Sequence, residues 1–146
     1  VGEQLSVEEL LYCLMLPSAN EAANVLAVAV DGSIEAFVEH MNRRAAELGC
    51  KGTHYANTHG MHQDEHYTTA YDLALTMQAC LEHDLFRTIT TAPKHTVPAT
   101  GVSGEREFYN TNGLVSSMTS AWAARRAAPT RRAAVWCPPP RTGTSF

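Results

Sequence analysis

The sequence predicts an α+β fold in which a layer of helices precedes a small antiparallel sheet. Three successive segments between residues 6 and 49 carry apolar residues at spacings of three and four, which is typical of amphipathic helices. From residue 88 the pattern changes to short β-branched or aromatic runs separated by Pro and Gly, which favours strands. With 146 residues and 45 % hydrophobic composition, the chain can form one domain with a core, or part of a larger domain.

Start and stop signals delimit the first three helices. Ser6 is a candidate N-cap with Glu9 three residues later, as in a capping box, and Pro17 ends this first helix. A second helix follows directly and ends at Gly32, and a third runs from Ser33 to Gly49. Glycine marks both ends because it can take the left-handed conformation that closes a helix. These three helices are expected to form one layer.

The second half of the chain begins with a long loop. Residues 50–68 break the helical period and are predicted to be an ordered loop, after which Thr69 and Asp72 mark the start of a fourth helix. Three short segments are then predicted to be strands: residues 88–92, 95–99 and 105–111.

Charge is distributed unevenly along the chain. Residues 1–120 carry six Lys or Arg and fifteen Asp or Glu, whereas residues 121–146 carry five Arg and no acidic residue. The acidic body argues against a nucleic-acid partner, because phosphate binding depends on clustered Lys and Arg. Residues 121–146, rich in Ala, Arg and Pro, are predicted to be a disordered tail or the product of a shifted reading frame, which leaves 1–120 as the structured domain.

No targeting segment is recognisable in these residues. No apolar run approaches the roughly 18 residues that span a bilayer, and Val1 begins within a pattern that has neither the basic start nor the apolar centre of a signal peptide. The four cysteines are far apart without a C-x-x-C pair, and Cys13 and Cys80 are expected to be buried small hydrophobic residues.

The sharpest chemical signal is the corner Pro17-Ser18-Ala19-Asn20 between the first two helices. A hydroxyl and a carboxamide two residues apart on a rigid turn can face one cleft, where one passes a proton and the other holds a peptide carbonyl. The alternative is capping of the second helix, because Ser18 and Glu21 also fit a capping box.

Two other segments contain patterns typical of functional sites. His62-Gln63-Asp64-Glu65-His66 matches the H-x-x-E-H pattern of one group of zinc peptidases, but that chemistry requires a helix and these residues precede the predicted helix start at Thr69. A loop without metal is therefore favoured, and a small zinc protein using His62 and His66 is the minor alternative. Arg141-Thr142-Gly143, a cationic version of K-T-G, lacks a strand to hold it and is assigned to chance.

Several motifs in order resemble one family of enzymes. They are L-P-S-x-N around Ser18, M-N followed by A-x-x-L-G, then T-H-Y-x-N-x-H-G, and finally Y-T-T-A-Y-D-L-A. Over roughly residues 1–118 the chain closely resembles the D-alanyl-D-alanine carboxypeptidases of the low-molecular-mass penicillin-binding proteins, peptidase family S11. The resemblance implies a partial DD-peptidase/β-lactamase-like fold, mainly its helical layer with an incomplete antiparallel sheet.

The resemblance also implies roles for particular residues. Ser18 would be the serine of the S-x-N motif and would assist proton transfer to the leaving D-alanine, while Asn20 would bind the peptide carbonyl of the substrate. Tyr55, Asn57 and His59 would be scaffold, and residues 109–114 would be the strand and turn shortly before K-T-G. The family uses no metal or other cofactor, acts on peptidoglycan stem peptides, is acylated by β-lactams in its complete form and is exported to the cell envelope.

The chain departs from the family pattern at two of its three catalytic motifs. Neither Lys51 nor Lys94 has a serine three residues before it, so S-x-x-K, with the nucleophile and its lysine base, is absent. The Ala-Arg-rich tail stands where the family has K-T-G, and Arg141 comes too late. The chain as given is therefore predicted to be inactive. The alternatives are a non-catalytic cell-wall-binding or regulatory remnant and a serine β-lactamase-like enzyme of the same fold.

Overall fold

The computed structural model describes residues 2–113 and Val115, and within them five helices precede a two-stranded sheet. The elements are α1 (Val7–Met15), α2 (Asn20–Asp31), α3 (Ile34–Glu47), α4 (Ala70–Cys80), α5 (Asp84–Thr91), β1 (Lys94–Val97) and β2 (Arg106–Tyr109). The predicted α+β class, with a helical layer and a small antiparallel sheet, is confirmed.

Local capping chemistry sets the helix boundaries. Ser6 accepts a hydrogen bond from the Glu9 N–H, and the Glu9 carboxylate accepts one from the Ser6 N–H, which completes the predicted capping box. α2 ends at Gly32 with a φ of 80°, a left-handed conformation that costs glycine no steric penalty. Thr69 caps α4 by accepting from the Asp72 N–H. The predicted starts of α1, α3 and α4 and the predicted ends of α1, α2 and α3 agree with the structure to within about two residues.

α1 lies at the centre of the apolar core. On one side Tyr12 and the fully buried Leu16 pack with Ile89 of α5, and on the other Cys13 packs with Ala22 of α2 and Val97 of β1. Phe108 of β2 contacts both groups. Because a single helix is covered by α2, α5 and the sheet, its C-terminal end is held in a fixed position.

The predicted strand at residues 88–92 is wrong, because residues 88–91 belong to α5 and Ala92 is its C-cap. Its β-branched composition favours a strand, but each threonine hydroxyl donates to a carbonyl one turn earlier, as Thr88 does to the Asp84 carbonyl at 3.0 Å. Ile89 is only 1 % exposed and fills the space between Tyr12 and Leu16. Tertiary packing therefore overrides the local preference of this segment.

The two remaining strand predictions are confirmed by an antiparallel pair. Its register places Val97 opposite Arg106 and His95 opposite Phe108. These four side chains face inward, where the His95 ring stacks on Tyr12 with the ring centroids 3.6 Å apart.

The start of the chain is fastened to β2. The Glu3 carboxylate accepts hydrogen bonds from the guanidinium of Arg106 and from the Thr100 hydroxyl. The Thr100 and Arg106 hydrogen bonds hold the pKa of Glu3 below its ordinary value.

The tail falls outside the residues that the structure describes. This applies to the whole predicted tail at 121–146, including Cys137 and Arg141-Thr142-Gly143. Among the described helices, none has the length and apolar content required to cross a bilayer.

Candidate active site

The corner between α1 and α2 has an unusual backbone. The C-cap of α1 is Leu16, whose N–H donates to the Tyr12 carbonyl, and the Ala19 N–H donates to the Cys13 carbonyl at 3.1 Å. Ser18 lies between these two bonds with a φ of 63°, and it is the one non-glycine residue with positive φ in the described chain. Such a conformation is unfavourable for an L-residue and is typical of functional turns.

The capping interpretation of Ser18 and Asn20 is wrong. The N-cap of α2 is Ala19, which has no side chain able to cap, and Asn20 is already the first helical residue. Neither the Ser18 hydroxyl nor the Asn20 amide makes a hydrogen bond within the described part of the chain, and Ser18 is exposed. Both polar groups are therefore available to a ligand.

The end of the sheet is attached to the same corner. The Thr111 N–H donates to the Leu16 carbonyl at 3.1 Å, two residues before Ser18. The Asn110 amide donates to the carbonyls of Thr90 and Ala92, at 3.0 and 2.9 Å, which fixes this turn against the end of α5. The segment following β2 is thus held beside the Ser18 corner.

The loop between α3 and α4 is locked by side-chain amides and a backbone bridge. The Asn42 amide of α3 both donates to the Tyr55 carbonyl and accepts from the Tyr55 N–H, each at 2.8 Å. His54 and Tyr67 exchange backbone hydrogen bonds of 2.8 and 3.0 Å, which closes the base of the loop. The predicted ordered loop is confirmed.

Asp72 fastens this loop to the start of α4. Its Oδ2 atom accepts from the Gly52 N–H and from the Thr53 hydroxyl, each at 2.7 Å. The pKa of Asp72 lies below its ordinary value, mainly because of the hydrogen bond from the Thr53 hydroxyl. The bonds from Gly52 and Thr69 contribute less, and burial acts in the opposite direction. A Cβ atom at Gly52 would lie 2.6 Å from Thr69 Cγ2, so only glycine allows this close approach.

A second contact ties the tip of the loop to α2. The Thr58 hydroxyl donates to Asn24 Oδ1 at 2.5 Å, one turn along the helix from Asn20. Beside it the buried Asn57 amide bonds the Met61 carbonyl and the Gly60 N–H, at 2.8 and 2.7 Å. Asn57 has the contacts expected of a scaffold residue. The bond between Asn24 and Thr58 was not predicted, because nothing in the local sequence indicates a partner 34 residues away.

The histidine segment does not have the geometry that the zinc alternative needs. Residues 62–66 are non-helical, so His62 and His66 do not share a helical face. His66 accepts a hydrogen bond from the Ala56 N–H at its Nδ1. Burial is the main cause that lowers the pKa of His66, and repulsion from His54 and His59 lowers it further. Within the described residues there is no group of three or more His, Cys, Asp or Glu side chains that could hold a metal ion.

The described cysteines are free thiols. Cys13 and Cys50 are each 6 % exposed, as expected for Cys13, whereas Cys80 is only partly buried. Burial raises the pKa of the Cys13 and Cys80 thiols, which favours the protonated, less nucleophilic form at neutral pH.

The family profile of D-alanyl-D-alanine carboxypeptidase, peptidase S11, matches residues 1–133. This chain belongs to the peptidase S11 family. The match includes Ser18 and Asn20, and it also includes the M-N and T-H-Y-x-N-x-H-G segments, which the hydrogen bonds between Asn42 and Tyr55 connect.

Individual relatives agree with the family match. The chain is 32 % identical over 131 residues to a D-alanyl-D-alanine carboxypeptidase of a Streptomyces strain, covering 83 % of this chain and 45 % of that protein. It is 37 % identical over 83 residues to the D-alanyl-D-alanine carboxypeptidase DacF of Bacillus subtilis, covering 57 % of this chain and 21 % of that protein.

Solved structures give the same answer for the fold. A Streptomyces DD-transpeptidase superposes with a TM-score of 0.74 at 31 % identity, over 82 % of this chain and 49 % of that chain. A D-alanyl-D-alanine carboxypeptidase of Mycobacterium tuberculosis gives a TM-score of 0.72 at 30 % identity, over 81 % and 44 %. This chain therefore spans less than half the length of the first relatives it matches.

Proposed function

We propose that this chain supplies one wall of the active site of a serine D-alanyl-D-alanine carboxypeptidase. The complete site hydrolyses the terminal D-alanine from peptidoglycan stem peptides through an acyl-serine intermediate. Ser18 passes a proton to the amine of the departing D-alanine, and Asn20 binds the peptide carbonyl and so orients the substrate.

The observation that carries this proposal is the free polar pair at the strained corner. A serine with a φ of 63° stores conformational strain, and neither Ser18 nor Asn20 uses its side chain to cap α2. The capping explanation would have accounted for both residues without any function. Its failure, together with membership of the peptidase S11 family, favours the catalytic explanation.

The 146 residues do not contain the other catalytic groups. The acylated serine and lysine of S-x-x-K and the strand motif K-T-G are absent from the sequence, so these residues alone have no nucleophile and are inactive. In the complete form the partners are stem peptides and β-lactams, the location is the cell envelope, and no metal, cofactor or nucleic acid takes part.

The proposal is tested in a chimera that provides the missing motifs. Residues 2–115 replace the matching segment of the Streptomyces DD-transpeptidase, and release of D-alanine from a diacyl-L-lysyl-D-alanyl-D-alanine peptide is measured. The Ser18→Ala variant should have a kcat lower by a factor of about 10² to 10⁴, which is the usual contribution of a positioned proton donor. Asn20→Ala should mainly raise KM, because it removes a substrate contact.

The matched control is Ser33→Ala, which removes a hydroxyl from the N-cap of α3, where it accepts from the Ala36 N–H. This variant should lose stability and keep its kcat, because Ser33 caps a helix and lies outside the proposed site. If Ser18→Ala and Ser33→Ala behave alike in kcat, the catalytic role of Ser18 is wrong.

A second candidate function follows from the missing motifs. A chain without S-x-x-K can still bind muropeptides through Ser18 and Asn20, as a non-catalytic cell-wall-binding or regulatory protein. Saturable binding of a D-alanyl-D-alanine peptide by the 146-residue chain, lost in Asn20→Ala and unaccompanied by penicillin acylation, would favour this second function.

A further inference from the structure

A histidine ring supplies one of the hydrogen bonds that close the loop between α3 and α4. The backbone bridge between His54 and Tyr67 brings the two ends of the loop together as antiparallel segments. Further into the loop, the Ala56 N–H donates to Nδ1 of the His66 ring at 3.2 Å. The ring nitrogen is thus the acceptor at a point where a longer strand pair would use a backbone carbonyl.

This bond defines the protonation state of the His66 ring. A nitrogen that accepts a hydrogen bond carries a lone pair, so the ring must be neutral with its proton on Nε2. A proton added to Nδ1 would face the Ala56 N–H as a second donor, and the bond would be lost. His54 differs, because its Nδ1 lies 2.6 Å from the Glu65 carbonyl and must donate to it, so that bond survives protonation.

The surroundings of His66 favour the neutral ring. Burial, followed by the charges of His54 and His59, lowers the pKa of His66. The Tyr55 ring presents its edge to the imidazole, with the ring centroids 5.7 Å apart. The carboxylate nearest in the sequence belongs to Glu65, whose side chain is exposed.

The helices that contact this loop present mostly amides to it. Asn42 of α3 binds the Tyr55 backbone, and Asn24 of α2 binds Thr58. The α4 carboxylate that bonds the loop, Asp72, accepts from Gly52 and Thr53 at the start of the loop. The ion pairs and amides of the neighbouring helices thus leave the state of His66 to the groups within its own loop.

The Ala56–His66 bond lies two residues from the contact between the loop and α2. Asn57 follows Ala56, is buried and organises the tip of the loop through its amide. Thr58 comes next and donates to Asn24. Release of Ala56 would therefore free the segment that holds Thr58 in place.

We propose that the Ala56–His66 bond is an acid-sensitive contact, which a proton on His66 Nδ1 breaks so that the loop loosens. Loosening weakens the bond between Thr58 and Asn24, and α2 then loses support one turn from Asn20. The loosening of the loop does not depend on the proposed function. Its effect on substrate binding rests on that function, through Asn20.

The acid response has a defined sign and pH range. The pKa of His66 is lowered in the folded chain from an ordinary value of 6.5, so the opened loop binds a proton more readily than the closed loop. The stability of the closed loop is therefore complete above pH 6.5 and is lost as the pH falls from 6.5 to the lowered value. The range from pH 7 to 5 lies above the ordinary carboxyl values of 4.5 and 3.8, so histidines titrate there.

The state of the ring is measured first, in the 146-residue chain. Nitrogen-15 chemical shifts of the imidazoles distinguish a protonated from an unprotonated Nδ1. At pH 7 His66 should have an unprotonated Nδ1, whereas His54 should have a protonated one. A protonated Nδ1 in His66 at pH 7 would overturn the proposal, whatever the variants below do.

Hydrogen exchange then measures the opening of the loop. The protection of the amides at 54–59, corrected for the intrinsic pH dependence of exchange, should fall at least about threefold between pH 7 and pH 5. The His66→Asn variant should keep its protection at pH 5, because asparagine carries its Oδ1 acceptor on Cγ, where histidine carries Nδ1, and does not titrate. The His66→Ala variant should show low protection at both pH values.

The matched control is His62→Asn, which replaces a histidine of the same loop whose side chain is 71 % exposed. This variant should lose protection between pH 7 and pH 5 as the original chain does. An equal loss in the original chain and in His66→Asn would assign the response to another group and overturn the proposal, as would constant protection in the original chain.

The link to Asn20 is tested in the chimera described above. Between pH 7 and pH 5 the KM for the D-alanyl-D-alanine peptide should rise at least about twofold more in the original chimera than in its His66→Asn variant. Equal KM changes, beside an exchange difference in the loop, would show that the contact does not act on α2. The Ser18→Ala variant should leave the exchange of the loop unchanged, so the proposed function and the acid-sensitive contact can fail separately.

Discussion

The two parts of the described chain that meet near the Ser18 corner are stabilised by different interactions. Around α1, the side chains of Leu16, Ile89 and Val97 are fully buried, and apolar packing connects the helix to its neighbours. In the loop between α3 and α4, the buried groups include Asn57 and Asp72, and polar side chains bind the backbone directly. Apolar packing thus fixes one side of the proposed site, while directional hydrogen bonds fix the other.

This difference has a consequence for the position of the site. A packed core tolerates little movement, because its side chains fill space at crystal-like density, whereas a hydrogen-bonded loop depends on each donor finding its acceptor. Ser18 follows the packed end of α1, and Asn24, one turn beyond Asn20, binds Thr58 of the loop. The candidate site therefore lies where both kinds of support meet.

The largest effect is expected from the packed side. Leu16→Ala removes a side chain that is 0 % exposed and packs with Tyr12 and Ile89. The lost burial and the remaining cavity should lower the free energy of unfolding by about 2 to 5 kcal/mol. Urea denaturation followed by circular dichroism measures the change.

Val30→Ala is the control for this prediction, because Val30 is 62 % exposed and its truncation leaves no cavity. Its unfolding free energy should stay within about 0.5 kcal/mol of the original. A loss of similar size in both variants would mean that the core around α1 is not the main source of stability.

The hydrogen-bonded side should respond to pH. The pKa of Asp72 is lowered in the folded state, so its carboxylate contributes stability that is present above the ordinary value of 3.8 and is lost as the pH falls through the lowered pKa. Asp72→Asn should destabilise the chain at pH 7, although by less than Leu16→Ala does. The stability difference between the original chain and Asp72→Asn should shrink as the pH falls below 3.8. The urea midpoint of both proteins at each pH measures it.

Asp64→Asn is the matched control, since the Asp64 side chain is 99 % exposed in the same loop. It should produce almost no difference in midpoint at any pH. A gap between the original chain and Asp72→Asn that stays constant down to low pH would contradict the assignment of this stability to the Asp72 carboxylate.

Local signals predicted the first four helices, and long-range contacts decided the structure of the segment that became α5. The capping box of Ser6 and Glu9 and the left-handed Gly32 act within one turn, so the sequence contains all that defines them. The strand predicted at residues 88–92 failed because Ile89 packs against α1, more than seventy residues earlier. The capping interpretation of Ser18 failed because a local pattern cannot reveal that α2 begins at Asn20 with its cap at Ala19.

The smallest effect is expected at the corner itself. Ser18 has a φ of 63°, a conformation that costs a non-glycine residue about 1 to 2 kcal/mol. Ser18→Gly relieves this strain, whereas Ser18→Ala removes the hydroxyl and keeps the strain. The glycine variant should therefore be more stable than the alanine variant by about 0.5 to 1 kcal/mol, after the greater backbone entropy of glycine is subtracted.

Thermal unfolding of the two Ser18 variants at one protein concentration makes this comparison. An alanine variant as stable as the glycine variant would show that the corner relaxes out of the left-handed region, and the strain would then lose its value as support for a functional serine.

The contact between Glu3 and Arg106 joins residues that are 103 positions apart, and this spacing matters during synthesis of the chain. A ribosome adds about 5 to 20 residues each second. The part of the α1 surface that Phe108 of β2 covers therefore stays open for roughly 5 to 20 s before Arg106 is even made. Throughout that interval apolar surface beside Tyr12 and Leu16 remains exposed, which makes nascent α1 a target for a molecular chaperone.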